Sequence, residues 1–181
     1  MLRFGIRLLA VTALVLLAGA ANAQTSFEEL SGKFAIDLPD GYELQPQKYS
    51  ILFQFWGPAG QIMMVLEEGG TDLAESYESA LSNLDGTLKN PEPIAPVVTM
   101  TLNGSPAKWG VYKGTVESDG KTVPLYTYVG SMLIDDGSVY FLSFVSEGSH
   151  LTWGEKVTKS FYSLRNVDSP LTGARDVKPA G

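Results

Sequence analysis

The single histidine of the chain is the first residue to consider as a catalytic or metal-binding group. Histidine titrates near neutral pH and is the commonest metal ligand in proteins, so imidazole chemistry here would have to use His150. Neither the G-x-S-x-G motif of serine hydrolases nor the H-E-x-x-H motif of zinc proteases accompanies it. His150 follows Ser149 just before a predicted helix, and we interpret it as part of a polar surface loop. We therefore predict no catalytic residue, no cofactor and no metal site.

Two pairs of adjacent acidic residues, Glu67–Glu68 and Asp135–Asp136, are the carboxylates to consider for hydrolysis. Glycosidase-type chemistry needs two carboxyl groups that face one cleft. Neighbouring residues of a β-strand point to opposite faces, and each pair also lies beside a glycine, Gly69 or Gly137. We interpret both pairs as solvated charges at strand ends.

Four aromatic residues form a candidate binding groove. Tryptophan and tyrosine combine an apolar body with a polar group that usually needs a hydrogen-bond partner. If a helix covered its face of a sheet incompletely, these side chains would line an open groove for a peptide or an apolar ligand. The alternative is ordinary core packing, which is the usual place for aromatic strand residues. The four residues are Trp56, Trp109, Tyr126 and Tyr128.

Three of these aromatic residues belong to a predicted antiparallel meander from Val97 to Ser146. The dipeptides Asn103–Gly104, Asp119–Gly120 and Asp136–Gly137 separate four runs rich in β-branched and aromatic residues. Such dipeptides favour type I′ hairpin turns, which need positive φ at both central residues. With two-residue loops, Ser118 faces Lys121 and Asp135 faces Ser138, and both faces of the meander are apolar. Each face therefore needs a covering layer.

The remaining elements supply that cover. Alternating apolar residues predict strands over residues 34–38, 50–56 and 61–67. Apolar residues at a period of 3.6 predict helices over 73–84 and 153–164. Thr71 or Asp72 would cap the first helix, and Gly86 suits a left-handed position after its end. Thr152 and Glu155 match a capping box for the second helix. Residues 90–96, with three prolines, predict an extended loop.

The predicted order β-β-β-α-β-β-β-β-α, with one helix on each face, defines an α+β fold: a three-layer α/β/α sandwich around a mainly antiparallel sheet of about seven strands. Residues 34–42 (FAIDLPDGY) resemble the first strand of the PsbP-like and DcrB-like families. The resemblance covers roughly residues 34–164 and implies this same sandwich. Those families include extrinsic photosystem subunits, secretion chaperones and many exported proteins. They share no catalytic signature, so the resemblance implies no site residue here.

The first 23 residues have the pattern of a signal peptide. Arg3 and Arg7 precede an uncharged apolar run at 8–17, and residues 21–23 (ANA) form a small-x-small cleavage site. We expect cleavage after Ala23 and a periplasmic or secreted protein without an integral membrane span after cleavage. Residues 24–166 are predicted to form one globular domain. Residues 167–181 have no apolar period, and we predict a flexible C-terminal tail.

Composition narrows the function further. The chain has no cysteine, which excludes thiolate catalysis and cysteine metal sites. Its net charge of −7 becomes −9 without Arg3 and Arg7, so nucleic acid is not an expected partner. We predict an exported, non-catalytic binding or accessory module for a protein, peptide or cell-envelope component. The alternatives are a carboxylate-based envelope hydrolase and a carrier of a small hydrophobic ligand. The sequence leaves the oligomeric state open.

Overall fold

A computed structural model describes residues 25–47, 49–168 and 174–179 of the chain. The predicted signal peptide, residues 1–23, lies outside the described residues. None of the helices in the described ranges is long and apolar enough to cross a membrane. The elements in chain order are β1 (Thr25–Glu28), β2 (Ala35–Leu38), β3 (Glu43–Leu44), β4 (Leu52–Gly57), β5 (Gly60–Glu68), α1 (Leu73–Asp85), β6 (Lys89–Pro93), β7 (Val98–Leu102), β8 (Ser105–Ser118), β9 (Lys121–Ile134), β10 (Gly137–Ser146), α2 (Glu147–Ser163) and β11 (Ala174–Pro179).

One large antiparallel sheet lies at the centre of the described structure. Its strands follow the order β11-β7-β8-β9-β10-β5-β4-β3, and β6 also pairs with β8. On one face Phe161 of α2 packs with Trp109 and Phe141 in a single core. On the other face Tyr77 of α1 packs with Val129 in a second core. Helices on both faces of an antiparallel sheet confirm the predicted α+β, three-layer α/β/α sandwich.

The glycine turns produce the predicted hairpins, with one shift in register. The φ angles of Asn103, Gly104, Asp119 and Gly120 are 48°, 91°, 51° and 70°, as two type I′ turns require. Ser118 pairs with Lys121 as predicted. In the third hairpin, however, Gly137 pairs with Ile134, so the predicted pairing of Asp135 with Ser138 is wrong. The partners differ by two positions, which leaves every side chain on its predicted face.

The predicted first strand, β2, lies outside the large sheet. It pairs with β1 in a separate two-stranded sheet. The Ala35 N–H donates to the Arg165 carbonyl at 2.9 Å, and the Asp37 N–H donates to Ser163 Oγ at 2.7 Å. The neighbouring Phe34 ring meets Phe53 of β4 edge-on at 5.4 Å. The β1–β2 hairpin thus joins α2 in one covering layer, and the large sheet has nine strands where the sequence predicts about seven.

Two short strands extend the sheet beyond the sequence prediction. The proline segment predicted as an extended loop includes β6, where Glu92 pairs with Lys113 and Pro93 with Tyr112. Proline is tolerated there because β6 is an outer strand that needs no full set of N–H donors. Within the segment predicted as a flexible tail, β11 pairs antiparallel with β7. The strand supplies backbone partners to β7; the mobility of residues 167–181 stays a prediction.

The helix ends differ in part from their predicted positions. Asp72 caps α1 as expected, since its Oδ1 accepts from the N–H groups of Ala74 and Glu75 at 2.7 and 3.2 Å. Gly86 has φ of −78°, so the predicted left-handed conformation is wrong. Helix α2 begins at Glu147, six residues before the predicted start, with Ser146 as its N-cap. The predicted capping box of Thr152 therefore lies inside the helix.

Gly130 controls how closely α2 approaches the sheet. A Cβ at this position would lie 2.2 Å from Cε2 of Phe161, whose ring stacks on Trp109 with 4.4 Å between centroids. We expect Gly130→Ala to lower the free energy of unfolding by about 1–3 kcal/mol, the usual cost of overpacking a core. Chemical denaturation monitored by circular dichroism measures this loss.

A glycine in open space provides the matched control. Nothing lies within 4 Å of the position of a Cβ on Gly148, in the first turn of α2. Gly148→Ala should leave stability unchanged or raise it by up to about 1 kcal/mol, because alanine is the better helix former. Equal destabilisation by both substitutions would contradict the packing role of Gly130.

Candidate functional site

The two faces of the sheet are covered unequally. On the α2 side, α2 and the β1–β2 hairpin together bury Phe53 and Phe55 of β4, which are 3% and 0% exposed. On the α1 side, α1 lies over β8, β9 and β10. The α1 side of β4 and β5 therefore stays partly open to solvent. We call this region the open apolar strip; it consists of Leu52, Trp56, Met63, Val65 and Phe144.

A cavity of about 240 Å³ lies between the open apolar strip and α1. Its walls are mostly apolar, and we call it the apolar cavity. Asn83 of α1 donates from Nδ2 to the Tyr140 hydroxyl at 3.1 Å on its inner side. Burial raises the pKa of Tyr140, and the charge of Glu67 raises it further. The lining residues are Tyr49, Ile51, Leu52, Met63, Val65, Asn83 and Tyr140.

A second cavity of about 320 Å³, the acidic cavity, lies at the N-terminus of α1. Four of its lining residues are acidic: Glu67, Glu68, Asp72 and Glu75. Three of these carboxylates have structural contacts, since Asp72 caps the helix, Glu67 accepts from Ser138 Oγ at 2.9 Å and Glu68 pairs with Lys33 at 2.8 Å. The sequence interpretation of Glu67 and Glu68 as solvated charges at a strand end is therefore incomplete, because both residues also line a cavity.

The other acidic pair lies close to the first, because the Gly69 N–H donates to the Asp136 carbonyl at 3.0 Å and Gly137 pairs with Glu68. Asp135 and Asp136 form the exposed β9–β10 loop and line a polar cavity of about 230 Å³ together with Lys33 and Asn166. The Asp135 N–H donates to Asn166 Oδ1 at 3.3 Å. Among the residues that the structure describes, no group of three or more acidic or histidine side chains could hold a metal ion.

The predicted groove residues do not line one groove. Trp109 and Tyr128 are buried on the α2 side, 6% and 2% exposed, and their ring centroids lie 5.9 Å apart. Trp56 pairs across strands with Gln61, which pairs with Phe144, so Trp56 belongs to the opposite face. It is 54% exposed. Ligand binding by any of these side chains stays a prediction, but Trp56 is the one that reaches the open apolar strip.

Tyr126, the fourth predicted residue, packs against the single histidine. The Tyr126 and His150 rings stack with centroids 3.7 Å apart, and the Tyr128 hydroxyl shares a hydrogen bond of 2.7 Å with His150 Nδ1. Burial raises the pKa of Tyr128 to about 12. His150 thus lies inside α2 rather than in the predicted surface loop, with both ring contacts made by β9.

The site that sequence reasoning missed is the junction of α1 with β5. Periodicity identifies Met63 and Val65 only as strand residues, and Asn83 falls on the polar side of the α1 pattern. The three side chains line one cavity because α1 lies beside β5 rather than over it. The number of predicted helices is the available signal: the sequence predicts one helix for this face, and a helix about 10 Å wide cannot cover all strands of a sheet in which neighbours are about 4.8 Å apart.

The fold, a three-layer α/β/α sandwich, is similar to that of PsbP-like proteins. No protein-family model matches the chain, and no curated protein matches it. Among solved structures, it is similar to cyanobacterial PsbP (CyanoP) from Synechocystis sp. PCC 6803, with a TM-score of 0.57 and 12% identity over 84% of this chain and 98% of that chain. The PsbP-like resemblance predicted from residues 34–42 is therefore confirmed for the fold.

Two further solved structures are similar. One is a protein from Bacteroides thetaiotaomicron VPI-5482, with a TM-score of 0.53 and 10% identity over 81% of this chain and 49% of that chain. The other is LpqN of Mycobacterium tuberculosis, described as involved in cell envelope biogenesis, with a TM-score of 0.47 and 14% identity over 78% of this chain and 89% of that chain. At these identities the likeness concerns fold alone.

The environment of His150 predicts a pH dependence of stability. Burial and the charge of Lys113 lower the pKa of His150 below its ordinary value of 6.5; the other facing groups are Tyr126, Tyr128 and Glu147, which is paired with Lys113. The unfolded chain then binds the proton more tightly than the folded chain, so stability falls as pH falls below 6.5. We expect the free energy of unfolding to decrease between about pH 7 and pH 5.5.

The variant His150→Phe tests this assignment, because it keeps a ring against Tyr126 and removes the titrating group. Its free energy of unfolding should change less over the same pH interval than that of the unsubstituted protein. Glu29, whose pKa is lowered from 4.5, titrates below this window. Parallel pH profiles for the two proteins would contradict a lowered pKa of His150.

Proposed function

We propose that the chain is an exported, non-catalytic binding or accessory module that recognises a protein or peptide of the cell envelope through the open apolar strip. The observation that carries this proposal is the exposure of Trp56, 54%, beside the half-buried Leu52, Met63, Val65 and Phe144 on the part of the face that α1 leaves open. Exposed tryptophan within an apolar patch is typical of protein recognition surfaces. The signal-peptide pattern of residues 1–23 supports an envelope location.

The two alternative functions have weaker support. The apolar cavity of about 240 Å³ is below the roughly 300 Å³ at which small-molecule sites begin, and it is open to solvent, which disfavours a carrier. The acidic cavity is large enough for a substrate, and its carboxylates are the place to look for the hydrolase. Their contacts with a helix N-terminus, Ser138 and Lys33 give them structural roles and favour the binding module.

Site-specific photo-crosslinking in the exporting cells tests the binding surface. A photoreactive amino acid in place of Gln54, which lies between Leu52 and Trp56 on the same face, should form a discrete adduct with one partner polypeptide. The same group in place of Thr122, exposed at the far hairpin, should not form that adduct. Identical adducts from both positions, or none from Gln54, would contradict the proposal.

The variant Trp56→Ala gives the energetic test once the partner is captured. Tryptophan is enriched among the interface residues whose truncation costs about 2 kcal/mol or more, so we expect the affinity to fall at least about tenfold. Leu151→Ala is the matched control, because Leu151 is a large apolar residue of α2 that is 93% exposed outside the strip. A loss of affinity that is no larger for Trp56→Ala than for this control would refute the role of the strip.

The N-terminus of the protein recovered from the envelope tests export separately. We expect mass spectrometry to identify Gln24 as the first residue, because Ala21 and Ala23 suit the small-residue positions of a cleavage site. An Ala23→Phe substitution should block cleavage and leave the longer chain. Recovery of a chain that retains residues 1–23 from unsubstituted cells would contradict the processing.

A further inference from the structure

The apolar cavity and the acidic cavity lie end to end along α1. Both cavities are lined by β5, β10 and α1. The nearest lining residues of the two cavities are two positions apart on β5 and on β10, and four positions apart on α1. Residues with these spacings lie on the same face of a strand or a helix. The neighbouring pairs are Val65 and Glu67, Tyr140 and Ser138, and Asn83 and Ser79. We call the two cavities together the α1 groove.

The two ends of the α1 groove differ in charge. The carboxyl groups at one end are those of Glu67, Glu68, Asp72 and Glu75, and Lys33 pairs with Glu68 there. At the other end, Leu52, Met63 and Val65 supply apolar surface. The field of the acidic end reaches the apolar end, because the charge of Glu67 contributes to the raised pKa of Tyr140. An occupant of the groove thus meets negative charge and apolar surface side by side.

Strand geometry sets the spacing of the two linings where the cavities meet. Residues two positions apart on a strand are about 7 Å apart, and this is the spacing of the nearest lining residues of the two cavities, Val65 and Glu67 on β5 and Tyr140 and Ser138 on β10. An extended peptide presents the side chains of residues i and i+2 on one side with the same spacing of about 7 Å. A peptide laid along the groove can therefore place one side chain in each cavity.

We propose that the α1 groove binds an extended polypeptide segment in which a lysine or arginine stands two positions from a bulky apolar residue. The basic side chain lies in the acidic cavity, and the apolar side chain lies in the apolar cavity. This assignment rests on the proposed binding function and adds the chemistry of the partner. Both cavities are open to solvent, so the peptide backbone passes over them without entering the fold.

Labelled peptides provide the test with the exported protein. The probe is a fluorescein-labelled hexapeptide with lysine at its second position, leucine at its fourth and serine or threonine elsewhere. One comparison peptide has glutamate in place of lysine, and another has leucine at the fifth position, where it points to the other side. We expect fluorescence anisotropy to show binding of the probe that is at least about fivefold tighter than of either comparison peptide.

Protein variants separate the contributions of the two ends. Glu67→Gln combined with Glu75→Gln should weaken probe binding about fivefold and reduce its dependence on salt, because the half-buried charge of Glu67 and the exposed charge of Glu75 are lost while Glu68 and Asp72 remain. Met63→Gln should weaken it by a similar factor through lost apolar contact, with the salt dependence retained. Glu92→Gln combined with Glu155→Gln changes the net charge equally, away from the groove, and should leave binding unchanged.

The outcomes distinguish the groove assignment from the general binding function. If Met63→Gln weakens probe binding but the Glu67 and Glu75 variant and the glutamate peptide bind unchanged, the charge assignment is wrong and the binding strip stands. If no peptide binds and Trp56→Ala has no effect on the crosslinked partner, both proposals are wrong. If no peptide binds and sedimentation shows a dimer that Met63→Gln dissociates, the occupant is a second copy of the chain, and the peptide assignment is overturned.

Discussion

The burial of a sheet that is apolar on both faces is the constraint on which the rest of this structure depends. Apolar surface removed from water stabilises a fold by about 25 cal/mol per Å², so each face needs a layer above it. The α2 side has two covering elements, because the β1–β2 hairpin closes the part of the face that α2 does not reach. The α1 side has α1, which lies over β8, β9 and β10. The open apolar strip is the direct consequence of this inequality.

Periodicity determines which residues share a face, and this is why the sandwich is predictable from the sequence. Alternation in β8, β9 and β10 assigns Trp109 and Phe141 to one face and Val129 and Leu142 to the other, and the two cores follow that assignment. The register of the third hairpin is less predictable. Gly137 looks like a turn residue, but its requirement comes from β5, because a Cβ there would lie 2.2 Å from the Glu67 carbonyl oxygen.

Local patterns carry less information about which sheet a strand joins and about what covers it. The alternation of residues 34–38 is the same whether the strand lies within the large sheet or above it, and tertiary contacts such as the bonds to Ser163 and Arg165 fix its place. In the same way, Trp56 and Trp109 are both strand tryptophans with apolar neighbours. Their exposures of 54% and 6% differ because α1 lies away from β4, while Phe161 and Tyr162 of α2 pack against Trp109.

The open strip must also avoid nonspecific association, and its composition meets that requirement. Gln54 and Gln61 interrupt the apolar residues of β4 and β5 on the same face, and Glu43 pairs with Trp56 at the outer strand. Short edge strands and charged neighbours limit pairing with other chains, and a net charge of −7 adds long-range repulsion between copies. The same negative charge attracts a basic partner, so one property of the surface disfavours self-association and favours the segment proposed for the α1 groove.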